Sequence, residues 1–96
     1  MALKKYITSL GFKKEYPDEL EPKFYWFIKD MPHKFLEGLN ANINLRKGSE
    51  NISIWVTCKE FAEQEVCIIN KDLVGKTIPE IKALINDILK SFEVNG

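Results

Sequence analysis

Residues 39–69 read LNANINLRKGSENISIWVTCKEFAEQEVCII, and apolar side chains recur there at alternate positions between two turn-like breaks. A hairpin centred on Gly48 and Ser49 sets Leu45 opposite Ile52, Ile43 opposite Ile54 and Ala41 opposite Val56. A second, around Ala62 and Glu63, sets Cys58 opposite Cys67 and Val56 opposite Ile69. Side chains alternate across a strand with period two, so one sheet face collects Leu39, Ala41, Ile43, Leu45, Ile52, Ile54, Val56, Cys58, Cys67 and Ile69. A slip of one residue would turn that whole set into water, which makes the register strongly specified.

Working outward, residues 78–92 carry Ile78, Ile81, Leu84, Ile85, Ile88, Leu89 and Phe92 at three- and four-residue spacing, the stripe of an amphipathic helix of about four turns. Thr77 stands three residues before Glu80 and Pro79 lies in the first turn, which together mark the helix start as a capping box. Such side chains stabilise a fold by about 1.5–3 kcal/mol each when buried, so this stripe belongs against the apolar sheet face. At the other end, Leu3, Tyr6, Ile7 and Leu10 share a face of a short helix that Gly11 stops.

Residues 13–22 are polar and contain Pro17 and Pro22, which suits a connector. Residues 23–29 are dense in aromatics and read as the first long strand. Phe24, Trp26 and Ile28 fall on one side of it; Lys23, Tyr25, Phe27 and Lys29 fall on the other. The purely apolar side is expected to face the core. Residues 30–38, with Met31, Pro32 and His33, form a wider connection. The expected fold is an α+β two-layer sandwich over residues 1–96: an antiparallel four-stranded meander with a short N-terminal and a long C-terminal helix on one face, in the order α-β-β-β-β-α.

The chain has 96 residues, 45% hydrophobic and 29% charged, the composition of one ordinary globular domain. No apolar run approaches the roughly 20 residues of a membrane span, and no export signal is visible in residues 1–10, so cytoplasmic residence and reduced thiols are expected. Fourteen basic and fourteen acidic residues cancel, which argues against a generic polyanion binder or a nucleic-acid mimic. Lysine, isoleucine and asparagine are abundant and Arg46 is the single arginine, a bias that AT-rich codons produce and that points to a low-GC bacterium or its phage.

Residues with catalytic potential do not assemble into a pattern. Gly75, Lys76 and Thr77 follow a strand and open a helix, but a phosphate loop needs another glycine five residues before Gly75, where Asn70 stands. A helix cap accounts for them, and no nucleotide is expected. Cys58, Cys67 and His33 fall short of a four-ligand zinc site, and small buried hydrophobes are the expected role of the cysteines. His33 has no nucleophile or acidic partner placed beside it, and Glu60, Glu63 and Glu65 sit at a hairpin tip. Neither catalysis, metal nor cofactor is expected.

The second sheet face is the positive feature. In the same register it carries Lys23, Tyr25, Phe27, Lys29, Asn40, Asn42, Asn44, Ser53, Trp55, Thr57, Val66 and Ile68. An exposed patch of this kind marks a contact surface, and Tyr and Trp dominate binding energy at interfaces. The expected partner-binding residues are Tyr25, Phe27, Trp55, Lys23, Lys29, Asn42, Asn44 and Ile68. The reading is a non-catalytic protein-binding or regulatory module that uses a sheet face or edge, toward a host protein or a second copy in a homodimer. The alternative is a single-stranded nucleic-acid binder that stacks bases on Tyr25, Phe27 and Trp55 between Lys23 and Lys29.

Overall fold

A computed structural model describes residues 2–16 and 25–92. Helix α1 (Ala2–Ser9) leads into strands β1 (Lys13–Glu15), β2 (Trp26–Asp30), β3 (Asn40–Asn44), β4 (Asn51–Cys58) and β5 (Gln64–Asp72), and helix α2 (Ile78–Ser91) follows. A 3-10 turn at Lys59–Phe61 joins β4 to β5. The five strands form one antiparallel meander in sequence order. The α+β class therefore holds, with five strands rather than four. The extra strand, β1, lies in the stretch read as a connector: three exposed residues pair with β2 alone, too short and too polar to leave an alternation in the sequence. Lys23, Phe24, Pro17 and Pro22 lie outside the described residues.

Both helices contribute to one core with the inward side of the sheet. Leu3 and Ile7 of α1 and Ile81, Ile85 and Ile88 of α2 cluster with Phe27, Ala41, Ile43, Ile52 and Ile54. Ile78, part of the apolar stripe, is 40% exposed, because it sits at the helix entry. The capping box forms as the spacing predicts. Thr77 Oγ1 accepts from the Glu80 amide at 3.3 Å, while Glu80 Oε1 accepts from the Thr77 amide at 3.0 Å and its hydroxyl at 2.8 Å. These bonds hold the Glu80 carboxyl below the usual carboxylate range, the Thr77 backbone contact being the largest cause. A group depressed in this way supports the fold at neutral pH and loses that support as pH falls through its folded pKa. Thr77→Ala is therefore expected to lower stability by about 0.5–2 kcal/mol at neutral pH. In paired thermal melts, the gap to the parent should narrow once acid protonates Glu80.

The first hairpin is displaced by two residues from the expected register: Ile43 faces Ile52 and Ala41 faces Ile54. An even shift keeps every side chain on its face. The turn chemistry sets the displacement. Asn44 Oδ1 accepts from the Arg46 amide at 3.0 Å, its Nδ2 donates to Ser49 O at 3.1 Å, and the Ser49 amide closes on Arg46 O at 3.0 Å.

The second hairpin departs more. Ala62 and Glu63 both take positive φ, Cys58 pairs with Gln64, and Trp55 pairs with Cys67. On the other side of the irregularity Ile54 pairs with Ile69, so Ile68 is the extra residue of a β-bulge. That extra residue reverses the alternation within β5. Cys67 consequently shares the face of Trp55, opposite to the face of Cys58, and the two thiols are free.

Strand β2 presents the opposite face from the one its composition suggests. Phe27 pairs with Ile43 and is 1% exposed, whereas Trp26 and Ile28 are half-buried on the other side, where Ile28 pairs with Asn42. The polar neighbours of Phe27 tolerate the inward side because each finds a partner there. Lys29 Nζ donates to Leu10 O, closing the corner after α1, in the manner of a long cationic side chain that lays its stem along apolar surface. Tyr25 packs edge-on to Phe27 at 5.6 Å, with Lys14 Nζ 4.8 Å from its ring centroid.

Candidate protein-binding face

With both helices gathered on the Phe27 side, the other face of the sheet is formed by alternate residues of the central strands: Trp26 and Ile28 on β2, Asn40, Asn42 and Asn44 on β3, and Asn51, Ser53, Trp55 and Thr57 on β4. Register places Asn42 between Ile28 and Ser53, and Asn40 beside Trp55. An open concavity of about 830 Å³ runs over all of these but Thr57 and is also lined by Lys4, Glu15, Arg46, Lys47 and Glu65.

The asparagines form a bonded ladder. Asn42 Nδ2 donates to Asn40 Oδ1 at 2.7 Å, and Asn40 Nδ2 donates to Gly38 O at 2.9 Å and to Glu65 Oε1 at 3.3 Å. Trp55 Nε1 donates to Ser53 Oγ at 2.9 Å, which fixes the indole over the sheet. Asn40 and Ser53, the buried polar residues of this face, are thereby satisfied. Among the described residues, Trp26 Nε1 is the buried side-chain donor without a hydrogen-bond partner. The ladder ends at Gly38, whose φ of +62° and close approach to Thr57 exclude a side chain: a Cβ there would stand 2.1 Å from Thr57 Oγ1.

The sequence-expected contact residues separate into two groups. Trp55, Asn42 and Asn44 stand on the open face. Ile68, the bulged residue at the β5 margin, is 44% exposed. Phe27 and Lys29 belong to the helix side, and the reason is the inverted phase of β2 described above. Tyr25 is half-buried against the core and also lines the concavity. Lys23 lies outside the described residues. Trp26, Ile28 and Asn40 complete the face, and the first two were obscured by assigning the apolar side of β2 to the core. Val66 likewise moves to the helix side, opposite Val56, because of the bulge.

Elsewhere, His33 Nδ1 accepts the amides of Phe35 at 3.0 Å and Leu36 at 3.2 Å, so the ring shapes its own loop. Phe35 on that loop is 82% exposed. Among the described residues, no three His, Cys, Asp or Glu side chains converge as a metal site would require, and no helix is long and apolar enough to cross a membrane. Comparison with protein-family models, with curated proteins and with solved structures finds no match.

Proposed function

We propose that the chain is a small non-catalytic protein-binding module whose contact surface is the open sheet face. The observation that carries this reading is the pair of half-buried indoles, Trp26 and Trp55, set with Ile28 around an asparagine ladder whose hydrogen bonds already hold it in place. Large rigid aromatics lose little side-chain entropy on docking and supply most of the energy of protein interfaces. A ladder ordered beforehand reduces what association must immobilise. The zero net charge suits a specific protein surface better than a polyanion. A regulator or inhibitor of a low-GC bacterium or its phage, acting in the cytoplasm, is the form of this reading that size and residue bias support.

Photo-crosslinking from position 42, with a photoreactive amino acid replacing Asn42 in the native host cells, tests it. A discrete protein adduct that disappears in the Trp55→Ala background is expected. Adducts only to nucleic acid, or none, would remove the reading. The nucleic-acid alternative now draws on Trp26 and Trp55 beside Arg46 and Lys47, since Phe27 is in the core. Salt-sensitive quenching of the tryptophans by single-stranded oligonucleotides would favour it.

A further inference from the structure

We infer that residues 33–36 form a pH-sensitive turn, locked while His33 is neutral and released when its ring takes up a proton. Backbone amides can only donate, so the two that converge on His33 Nδ1, from Phe35 and Leu36, require an unprotonated nitrogen there. The ring in this turn is therefore neutral and carries its hydrogen on Nε2. Protonation converts Nδ1 from acceptor to donor, and both amides then face an N–H where they had a lone pair. Neither contact survives that change. His33 is the single histidine of the chain, and histidine is the side chain that ordinarily changes charge between about pH 5 and 8.

What surrounds the turn confines the release. Its flanks are held by bonds that do not involve the ring: the Met31 amide donates to Leu39 O and the Thr57 amide to Glu37 O, each at 2.8 Å. Leu36 packs against the core from a partly buried position. Phe35, by contrast, meets the imidazole with ring centroids 6.1 Å apart and is otherwise in water, so its placement depends on this histidine rather than on burial. The hollow beside the ring is lined by Lys34 and Glu37 from the loop, Lys59 from the turn after β4, and the uncharged Val56 and Thr57 of β4. Glu37 already pairs with Lys59 at 3.1 Å, and Asp30 at the end of β2 is aligned with Asn40. With two lysines and a paired carboxylate around it, the imidazolium gains little to offset the bonds it loses. Mild acid thus frees Phe35 while the sheet stays intact.

Heteronuclear NMR of the full chain, titrated from about pH 7.5 to about 5.5, tests the inference. The Phe35 and Leu36 amides are expected to shift together with the His33 ring signals. Their exchange protection, corrected for the intrinsic effect of pH, should fall about tenfold or more, while Met31 and Thr57 keep theirs. His33→Asn is the control: its Oδ1 stands as many bonds from Cα as Nδ1, can accept the same amides, and does not titrate. That variant should keep both amides protected across the whole range, and His33→Ala should leave them unprotected throughout. Phe35 and Leu36 amides that stay unmoved while the ring titrates overturn the inference, as do loop amides already unprotected at about pH 7.5. So does the same titration in His33→Asn, or a loss of protection at Met31 and Thr57 in step with the loop.

Discussion

Ile85→Asp is expected to abolish cooperative folding. Ile85 is fully buried at the centre of α2, in contact with the cluster that includes Ile7, Ile43 and Ile54. Removing the branched side chain costs about 2–5 kcal/mol in lost transfer energy and cavity formation. A carboxyl group placed there enters a cluster of buried aliphatic and aromatic side chains, so it adds a further cost of several kcal/mol even if it takes up a proton to avoid carrying charge. Domains of this size are stable by about 5–15 kcal/mol, and the combined penalty consumes most or all of that. Circular dichroism at 25 °C should show loss of the native spectrum, and heating should show no sigmoidal transition. A native-like melt would place Ile85 outside the core.

Phe27→Ala should destabilise the fold by about 3–5 kcal/mol, read as a lower urea midpoint with unchanged slope. Its ring is 1% exposed, beside Ile43 on the neighbouring strand and edge-on to Tyr25, which immediately precedes β2. Trp55→Ala on the opposite face should cost markedly less stability while affecting association. The contrast between these two variants separates the sides of the sheet by experiment. If Phe27→Ala left stability intact and removed only binding, the assignment of β2 would have to be reversed.

That reversal marks where the sequence ceased to be sufficient. In β3 and β4 the alternation is unbroken and each polar position is small, so Ala41, Ile43, Ile52 and Ile54 could be assigned to the core directly. The long helix was equally plain, cap included. Strand β2 offers aromatics on both sides, and composition favoured Trp26 and Ile28 as the inward pair. The decision was made by contacts distant in sequence: Lys29 reaches the carbonyl of Leu10, and Lys14 covers Tyr25, which lets a mixed side turn inward. The bulge at Ile68 had no local signature either, since no glycine marks it. It separated the two cysteines and moved Val66. Half of the contact face was therefore legible, namely the half carried by β3 and β4.

The bulge at Ile68 also changes what the border of the sheet offers to other chains. Strand β5 is a nine-residue margin with Val66 and Ile68 partly bare, the sort of border on which foreign strands add and fibrils grow. Ile68 breaks that border into two short runs of opposite phase, and Lys71, aligned with Ile52 on the helix side, would bring a cation into any apolar seam formed there. Pairing of foreign strands along this border is thereby discouraged.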